Sequence, residues 1–407
     1  MVEREVIRRI IIEGQEFVNE ISLTERPFFF EQKGNYVFVG IRQAGKSYLL
    51  YQRIQQLLRE EHNINEIVYI NFDDERLRQM TADDLDLILQ AYHSLFDLRP
   101  LLFFDEIQNI EGWEHFARRL ANQKYNIYIT GSNAKMLSRE IATTLGGRFW
   151  NKDVYPYSFA EYLNARNIIL SKNWMYGKQA AEVSKAFNDY FLYGGFPELT
   201  DVIAKRVWLN DIYSKIFFSD LIVRNKVRNE EALGLLVRRL AENVKQPVSY
   251  TRLANLISSI GIKISKATVI EFIRYLKESC LIFPIENYAA KFAERNSNMK
   301  HYFIDNGLLS IFLLDGNTSL LENIVAIHLY KRYGAQLYFY NQNIEVDFII
   351  PEAKTAIQVS YSLMDETTCR REVEGLIKLN RVFPMDNMCI ITRDEERIIT
   401  HESGVSI

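Results

Sequence analysis

The chain of 407 residues contains little cysteine, and its cysteines are scattered. Cys280, Cys369 and Cys389 are odd in number and far apart, and no C-x-x-C pair occurs. This pattern predicts neither a disulfide framework nor a zinc site, and it fits a reducing compartment.

Long apolar runs, internal repeats and low-complexity segments are also missing from the sequence. No apolar run approaches the roughly 18 residues that a membrane span requires. The first residues, MVEREVIRRIII, are charged rather than typical of a secretion signal. We therefore expect a cytoplasmic protein that does not enter a membrane.

A large excess of either charge is absent as well. The net charge of −3 excludes a globally basic nucleic-acid binder, although it leaves a local basic patch open. Aromatic residues make up 13% of the chain, enough either to build cores or to stack on bases. The length predicts roughly two to four domains.

The motif that is present is VFVGIRQAGKS, from Val37 to Ser47. Val37 to Val39 have strand-forming side chains, and the apolar periodicity from Tyr48 onward is helical. Between strand and helix lies a G-x-x-x-x-G-K-S string, which is the phosphate-binding loop pattern in its expected context. We expect this loop to bind ATP through Gly40, Ile41, Arg42, Gln43, Ala44, Gly45, Lys46, Ser47 and Tyr48.

The spacing of this loop follows from the needs of a triphosphate. Glycines allow backbone N–H groups to turn inward around the phosphates, and the N-terminus of the following helix adds partial positive charge. Lys46 is expected to reach the β- and γ-phosphates, and the Ser47 hydroxyl is expected to bind Mg²⁺.

A second motif, LLFFDE at Leu101 to Glu106, is an apolar strand that ends in two acids. Asp105 would hold Mg²⁺ through its water shell, and Glu106 would orient and deprotonate the attacking water. An isolated Asp-Glu pair can also be a solvated turn, but its position about 60 residues after a phosphate loop favours the hydrolytic role. Glu106 favours hydrolysis over transfer to a second substrate.

Two further segments could contribute to hydrolysis. The predicted strand from Asn126 to Thr130 is followed by Ser132 and Asn133, and a polar side chain there could contact the γ-phosphate or the water. Asn133 is our first choice and Ser132 the second, with a plain turn as the alternative. Arg148 follows two glycines and could neutralise γ-phosphate charge in its own chain or on a neighbouring subunit, or simply be solvated.

Taken together, these motifs resemble a known family. The phosphate loop, the acidic strand, the ITGSN strand end, the GGR at 146–148 and the GGFPE at 194–198 are similar to bacterial and archaeal predicted ATPases of the AAA+ superfamily. Those proteins carry a C-terminal domain of unknown function. The resemblance implies an ATPase core, a winged-helix segment and a C-terminal region with a restriction-endonuclease-like fold that is often catalytically degenerate.

The middle of the chain independently predicts three helices and a hairpin. The helices are Glu231–Val244, Thr251–Ser259 and Ser265–Ser279, and Leu281–Tyr288 with Lys300–Ile304 forms the hairpin. This order is typical of a winged helix-turn-helix.

If the third helix of this segment enters a DNA major groove, Lys266, Thr268 and Arg274 would lie near phosphates or base edges. Winged helices also dock proteins, and Glu271 and Glu278 lie on the same helix. Both partners therefore stay open.

The last hundred residues contain the outline of a PD-D/E-x-K nuclease site. Glu322 lies in a predicted helix, Asp347 in a strand and Gln358 in the next strand, and such carboxylates gather Mg²⁺ to activate water. The position of the catalytic lysine is occupied by Ser360, which argues against cleavage. The three polar residues could bind a metal weakly or form a polar cluster.

Three other cations lie near this site in sequence. Lys354 is expected in a turn, and Arg370 or Arg371 could replace the missing lysine only from the following helix. A retained fold with lost chemistry is therefore the favoured interpretation.

The sequence thus predicts an α/β protein: a P-loop NTPase parallel sheet, a helical extension, a winged helix-turn-helix and a C-terminal α/β restriction-endonuclease-like domain. The expected boundaries are 1–155, 156–228, 229–305 and 306–407. ATP and Mg²⁺ are the expected cofactors, a homo-oligomer is an open alternative, and double-stranded DNA or a protein partner would bind the C-terminal half. The favoured function is an ATPase switch acting near DNA, with an ATP-gated docking module and a Mg²⁺-dependent DNA nuclease as alternatives.

Overall fold

The computed structural model describes the chain except residues 1, 32, 138, 292–294, 296 and 403. It divides into two compact units, which we call the first unit (1–167 with 278–280) and the second unit (168–277 and 281–407). The expected boundary at 155 lies twelve residues before residue 167, where the main segment of the first unit ends. The expected boundaries at 228 and 305 fall inside the second unit. Helices in the described ranges are all too short or too polar to cross a bilayer.

The first unit is built on a five-stranded sheet in which every pairing is parallel. The strand order is β2-β3-β4-β1-β5, so β4 lies between the strand before the phosphate loop and the strand that ends in acids. This confirms the predicted parallel sheet. The strands are β1 Asn35–Val39, β2 Ile67–Asn71, β3 Leu101–Asp105, β4 Ile127–Gly131 and β5 Phe149–Asp153.

Aromatic side chains cover one face of this sheet. Tyr36 stacks on Phe38 and on Tyr128 with ring centroids 5.7 and 5.8 Å apart, and Phe103 stacks on Tyr128 at 4.6 Å. Because side chains alternate along a strand, residues such as Val37 point to the opposite face, where they join the main core. These aromatic residues therefore build the core instead of offering a surface for bases.

The helices of the first unit bury apolar side chains, and one of them begins with a side-chain cap. The α1 helix buries Ile7, Ile11 and Val18. The α6 helix begins with a reciprocal capping box between Ser158 and Glu161. The helices are α1 Arg4–Glu20, α2 Lys46–Arg59, α3 Asp86–His93, α4 Trp113–Asn122, α5 Arg139–Leu145 and α6 Phe159–Ala165.

The second unit combines helices with a seven-stranded mixed sheet of order β12-β11-β10-β9-β7-β8-β6. Its strands are β6 Val248–Ser249, β7 Ile282–Asn287, β8 Asn298–Phe303, β9 Tyr338–Asn341, β10 Glu345–Ile350, β11 Thr355–Val359 and β12 Asn387–Ile391. Its helices are α7 Lys178–Tyr193, α8 Lys205–Lys215, a π-helical segment Ile216–Val223, α9 Glu230–Glu242, α10 Tyr250–Ser259, α11 Lys266–Glu278, α12 Asn306–Ser310, α13 Asn317–Tyr333 and α14 Glu366–Val382.

The elements from α9 to β8 follow the predicted order of three helices and a hairpin, with ends within two residues of the expected ones. The short β6 pairs antiparallel with β8, which in turn pairs with β7. Strand β7 also pairs in parallel with β9, so this hairpin belongs to the same sheet as the C-terminal strands. The sheet is therefore continuous across the expected boundary at 305.

The GGFPE turn after α7 is held by the buried carboxylate of Asp305. The Gly195 N–H donates to its Oδ2 at 2.8 Å, and the Gly307 and Leu308 N–H groups donate to its Oδ1 at 2.8 and 3.3 Å. Gly194 has φ +79°, and a Cβ there would lie 2.0 Å from Asp305 Oδ1. Gly194 is thus required for close approach of the backbone to the carboxylate.

Replacing Asp305 by alanine should destabilise the second unit, because three N–H groups around a fully buried position would lose their acceptor. We expect Asp305→Ala to lower the free energy of unfolding by about 3 kcal/mol in urea titrations followed by circular dichroism. The exposed Asp315 is the matched control, and its alanine variant should change the value by less than about 0.5 kcal/mol. Equal effects of the two variants would contradict the assignment.

The same variant should change the pH dependence of stability. Burial raises the pKa of Asp305 from 3.8 to about 6, although the three backbone donors oppose it. The folded state therefore keeps a proton that the unfolded chain releases, and the associated stabilisation is complete below pH 3.8 and lost as the pH rises through about 6. A plot of the free energy of unfolding against pH should therefore lack this fall between pH 3.8 and about 6 in the Asp305→Ala protein.

Candidate functional site

The phosphate loop connects β1 to α2 at the carboxyl edge of the sheet. Gln43 and Gly45 have φ values of +61° and +90°, so the loop makes two left-handed bends before α2 begins. A Cβ at Gly40 would lie 2.0 Å from the Val154 carbonyl oxygen, which explains why this position needs glycine. Successive N–H groups in bends of this kind form a concave surface suited to anions.

The Lys46 ammonium is buried beside this loop. Its Nζ donates to the Ile41 carbonyl at 3.1 Å and lies 3.6 Å from Glu106 Oε1. The predicted phosphate-binding lysine and the predicted catalytic base are therefore neighbours across the loop.

Asp105 ends β3 and is almost completely buried among hydroxyl groups. Tyr69 donates to its Oδ2 at 2.8 Å, Thr130 donates to its Oδ1, and Ser47 is also hydrogen-bonded to the carboxylate. Burial raises the pKa of Asp105 and the Glu106 charge adds to this, whereas the three hydroxyl groups lower it. The structure thus brings together Ser47 and Asp105, the two residues predicted to serve a metal.

Glu106 has a left-handed backbone conformation, with φ +52° and ψ +39°. Such a conformation is costly for a residue with a Cβ and is frequent at functional sites. It is held because the Glu106 N–H donates to Thr130 Oγ1 at 3.0 Å and Gln108 Nε2 donates to the carboxylate.

The Glu106 carboxylate is prepared to stay ionised. Burial raises its pKa, but the Lys46 charge, hydrogen bonds from Gln108 and Ser132, and the Arg42 charge lower it more, so the net shift is downward. An ionised carboxylate in this position can accept a proton from water.

Of the two residues considered after β4, the structure brings Ser132 to the acids. β4 pairs with β3 as predicted, and buried Ser132 accepts a hydrogen bond from Gln108 at 3.4 Å while also bonding to Glu106. Asn133 is half-buried one residue further on, and its carbonyl accepts the Met136 N–H at 3.0 Å. The role assigned to Asn133 stays a prediction.

Sequence reasoning missed three residues of this site, namely Tyr69, Thr130 and Gln108. Tyr69 and Thr130 are hydroxyl residues inside apolar strands that flank β3, and this contrast is the signal that could have identified them. Gln108 Oε1 is buried and has no hydrogen-bond partner in the described parts of the chain. An acceptor of this kind beside Glu106 is suited to a water molecule or a ligand.

Arg26, which was also missed, supports the loop from outside. Its guanidinium donates to the Ala44 carbonyl at 3.1 Å and to Glu161 at 2.7 Å. It also donates to the Tyr155 carbonyl at 3.1 Å. One side chain therefore ties the loop to α6 and to the end of β5.

Arg148 lies at the amino ends of the parallel strands, whereas the phosphate loop lies at their carboxyl ends. β5 runs parallel to β1 with Phe149 opposite Asn35 and Asp153 opposite Val39, and Arg148 precedes this register. Five strand residues separate its level from that of the loop, a distance of about 16 Å. This corrects the alternative in which Arg148 acts on nucleotide bound to its own chain.

The residues of the first unit fit ATP and Mg²⁺ as ligands. The left-handed loop, Lys46 and the α2 N-terminus suit phosphate, and the oxygens of Ser47 and Asp105 are ligands that Mg²⁺ prefers. The orphaned Gln108 Oε1 adds an acceptor beside the base. A bound Mg²⁺ would neutralise phosphate charge there.

In the second unit, the predicted nuclease residues also meet. Glu322 on α13, Asp347 on β10 and Gln358 on β11 all line one cavity of about 560 Å³, as does Ser360. The lysine in contact with the acids is Lys300 on β8, which the sequence reasoning did not consider.

Of the three cations expected near this site, Arg371 lines the cavity. Lys354 occupies a turn, as predicted, and pairs with Asp386 at 3.5 Å. Arg370 is exposed, and Arg371 pairs with Glu372 at 2.6 Å on the cavity wall. In the described ranges, no group of three or more His, Cys, Asp or Glu side chains is arranged to hold a metal ion.

The predicted DNA-facing residues lie on α11. Lys266 is exposed at its start, and the Thr268 N–H donates to Ser265 Oγ at 3.1 Å, so Ser265 caps the helix. Arg274 lies 3.7 Å from Glu271, which also accepts the Tyr275 hydroxyl at 2.6 Å. The exposed face of this helix therefore carries an acid at its centre.

Comparison with known proteins assigns the chain to a family. An AAA domain model matches residues 32–163, and a model for a domain of unknown function, DUF8612, matches residues 184–319. The uncharacterized protein MJ1544 of Methanocaldococcus jannaschii is 32% identical over 410 residues, covering 97% of this chain and 91% of the relative. The chain belongs to the same family as MJ1544, and it carries an AAA domain at residues 32–163.

The chain is also similar to a bacterial protein and to a solved structure. An uncharacterized protein of Haemophilus influenzae is 30% identical over 354 residues, covering 84% of this chain and 86% of that protein. Among solved structures, the Walker-type ATPase PABY2304 of Pyrococcus abyssi is similar with a TM-score of 0.43 and 14% identity, covering 77% of this chain and 96% of that chain. That structural likeness is too weak to support an argument about function.

Proposed function

We propose that this AAA-domain protein is an ATP-hydrolysing molecular switch whose nucleotide state acts on the second unit. The observation that carries the proposal is the approach of three groups at the carboxyl edge of the sheet. Lys46 Nζ lies 3.6 Å from Glu106 Oε1, and Ser47 is hydrogen-bonded to Asp105. A cation for phosphate, ligands for Mg²⁺ and an ionised base are thus adjacent.

In this proposal each residue has one task. The loop from Gly40 to Ser47 binds the phosphates through its N–H groups, and Lys46 neutralises the β- and γ-phosphates. Ser47 and Asp105 supply the oxygens that hold Mg²⁺. Glu106 accepts the proton of the attacking water, and Gln108 positions that water through its unpaired Oε1.

Two substitutions separate binding from hydrolysis. Lys46→Ala should abolish ATP binding, because the buried ammonium that meets the phosphates is lost. Glu106→Gln should retain ATP and lower turnover at least about 100-fold, because an amide cannot take the proton. Equilibrium binding of a fluorescent ATP analogue and phosphate release would measure the two effects.

The matched control is Glu111→Gln, which removes an exposed carboxylate five residues further along the chain. It should hydrolyse ATP at the parent rate. If the Glu106→Gln protein also kept the parent rate, another group would have to be the base.

We further propose that Arg148 acts on nucleotide held by a neighbouring copy in a homo-oligomer. Its side chain is exposed and donates to the Gly146 carbonyl of the same chain at 3.0 Å. It lies at the amino ends of the strands, away from the phosphate loop. A head-to-tail assembly would present this end of the sheet to the loop of the next subunit.

Mixing two inactive variants tests this arrangement. Lys46→Ala and Arg148→Ala should each be inactive alone, whereas an equal mixture should regain hydrolysis at about a quarter of its sites, as random head-to-tail pairing gives. The regained activity arises because the first variant supplies Arg148 to the intact loop of the second. A mixture with no activity, or an active Arg148→Ala protein, would contradict the proposal.

For the second unit we propose a winged-helix segment joined to a catalytically degenerate restriction-endonuclease-like domain. The order of α9, α10, α11 and the β7–β8 hairpin supports the first part. The meeting of Glu322, Asp347 and Gln358 supports the second.

The partner of this unit is either double-stranded DNA or a protein. Glu271 at the centre of the exposed α11 face favours a protein, because a carboxylate there would repel phosphates and already engages Arg274 and Tyr275. Lys266 at the start of α11 is the feature that favours DNA.

Titration with double-stranded DNA at several salt concentrations separates these partners. Given Glu271, we expect no measurable binding even at low salt. A steep fall of the logarithm of the binding constant with the logarithm of the salt concentration would instead support contact of DNA with this protein. A slope that is smaller by about one in Lys266→Ala would assign that contact to α11. Fluorescence anisotropy of labelled DNA would provide the measurement.

A further inference from the structure

Lys300 places its ammonium at the centre of the acid cluster in the second unit. Its Nζ lies 3.0 Å from Asp347 Oδ1, 3.3 Å from Glu322 Oε1 and 3.5 Å from Glu345 Oε1. These acids come from α13 and from β10, whereas the lysine comes from β8. A single nitrogen therefore bridges carboxylates from two separate elements.

The surroundings of this ammonium keep it charged. The side chain is completely buried, and the nitrogen also lies 5.6 Å from the centre of the Phe339 ring, within the range of a cation–π interaction. Burial lowers the pKa of Lys300, but the charges of Glu322, Asp347 and Glu345 raise it more, so the net shift is upward. The cluster thus contains a permanent positive charge.

The polar atoms that a metal would need are already engaged. Asp347 Oδ1 accepts a hydrogen bond from the Lys300 ammonium. Asp347 Oδ2 accepts the Val359 N–H at 3.0 Å. Gln358 accepts the Asp347 N–H at 2.9 Å and donates to the Glu345 carbonyl at 3.1 Å. The predicted ligand set therefore does not fit Mg²⁺, which needs oxygen ligands at about 2.0–2.1 Å in octahedral arrangement.

The poor fit of these residues to Mg²⁺ is not caused by a lack of access from solvent to the carboxylates. Glu322, Glu345 and Asp347 line the cavity of about 560 Å³, and Glu345 remains nearly half exposed. An ion in solution could therefore reach the carboxylates if the position between them were vacant.

We propose that the Lys300 ammonium replaces the divalent cation of the nuclease-like site and is the group that keeps metal ions out. The site is then a cluster of acids bridged by an ammonium of its own chain, with no metal-activated water. Lys300 already forms ion pairs with Glu322 and Asp347 at 3.3 and 3.0 Å, so a cation of the same chain takes the place of an added metal ion beside these carboxylates. The inference is independent of the ATP site in the first unit.

The substitution Lys300→Met tests this proposal in the full-length chain. Methionine follows the lysine side chain as far as Cε and lacks the terminal ammonium, so only the position between the carboxylates is vacated. Ca²⁺ is the probe, because it accepts oxygen ligands in flexible geometry. We expect the nucleotide-free variant to gain one Ca²⁺ site by calorimetry and a melting temperature that rises with the logarithm of the Ca²⁺ concentration above the dissociation constant.

The parent protein and a double variant are the matched controls. The parent should show no Ca²⁺ binding that depends on Asp347, and Lys300→Met with Asp347→Asn should lose the gained site. Comparing these proteins without nucleotide removes any contribution common to the phosphate loop.

Two results would overturn the proposal. One is Asp347-dependent Ca²⁺ binding, or Mn²⁺-dependent nicking of DNA, by the parent protein. The other is a folded Lys300→Met protein that gains no Ca²⁺ site. If Lys300→Met does not fold, Lys300→Gln and the direct titration of the parent protein decide the question.

Discussion

The first unit depends on the placement of a positive charge beside the second of two adjacent carboxylates at the carboxyl ends of a parallel sheet. Lys46 lies at the start of α2, Asp105 ends β3 and Glu106 follows it, and β4 separates β3 from β1, the strand before the phosphate loop. Burial makes charge costly, so each charged group here is held by a named partner. The hydroxyl of Thr130 is central, because it donates to Asp105 and accepts the Glu106 N–H.

This network prepares the site before any ligand binds. Burial raises the pKa of Glu106, but the charges of Lys46 and Arg42 and the hydrogen bonds from Gln108 and Ser132 together lower it more, whereas burial shifts the pKa of Asp105, which has no cation in contact, upward. Two adjacent acids therefore differ in their readiness to carry charge. Such separation of pKa values between neighbouring carboxylates is the usual basis for giving them different tasks.

The second unit solves a similar electrostatic problem differently. Its carboxylates gather around Lys300, whose nitrogen is fully buried and bonded on several sides. Lys46, by contrast, has one carbonyl contact and a carboxylate at 3.6 Å, and it faces a loop shaped for an anion. A lysine fully engaged by acids has little capacity left for a ligand, whereas one at the edge of a concave loop can bind a phosphate.

Sequence alone was sufficient for the strand, loop and helix of the phosphate site, for the acidic strand and for the parallel sheet, because these depend on short-range spacing and on alternation of apolar residues. Only the tertiary structure showed which further polar groups join these sites, namely Tyr69, Thr130 and Gln108 in the first unit and Lys300 in the second. In a flat sheet, β8 and β10 would be about 14 Å apart, so the contact of Lys300 with Asp347 requires the sheet to coil. The position of Arg148 at the amino ends of the strands likewise follows from the register of β5 against β1. A residue pattern within one segment contains no information about that pairing.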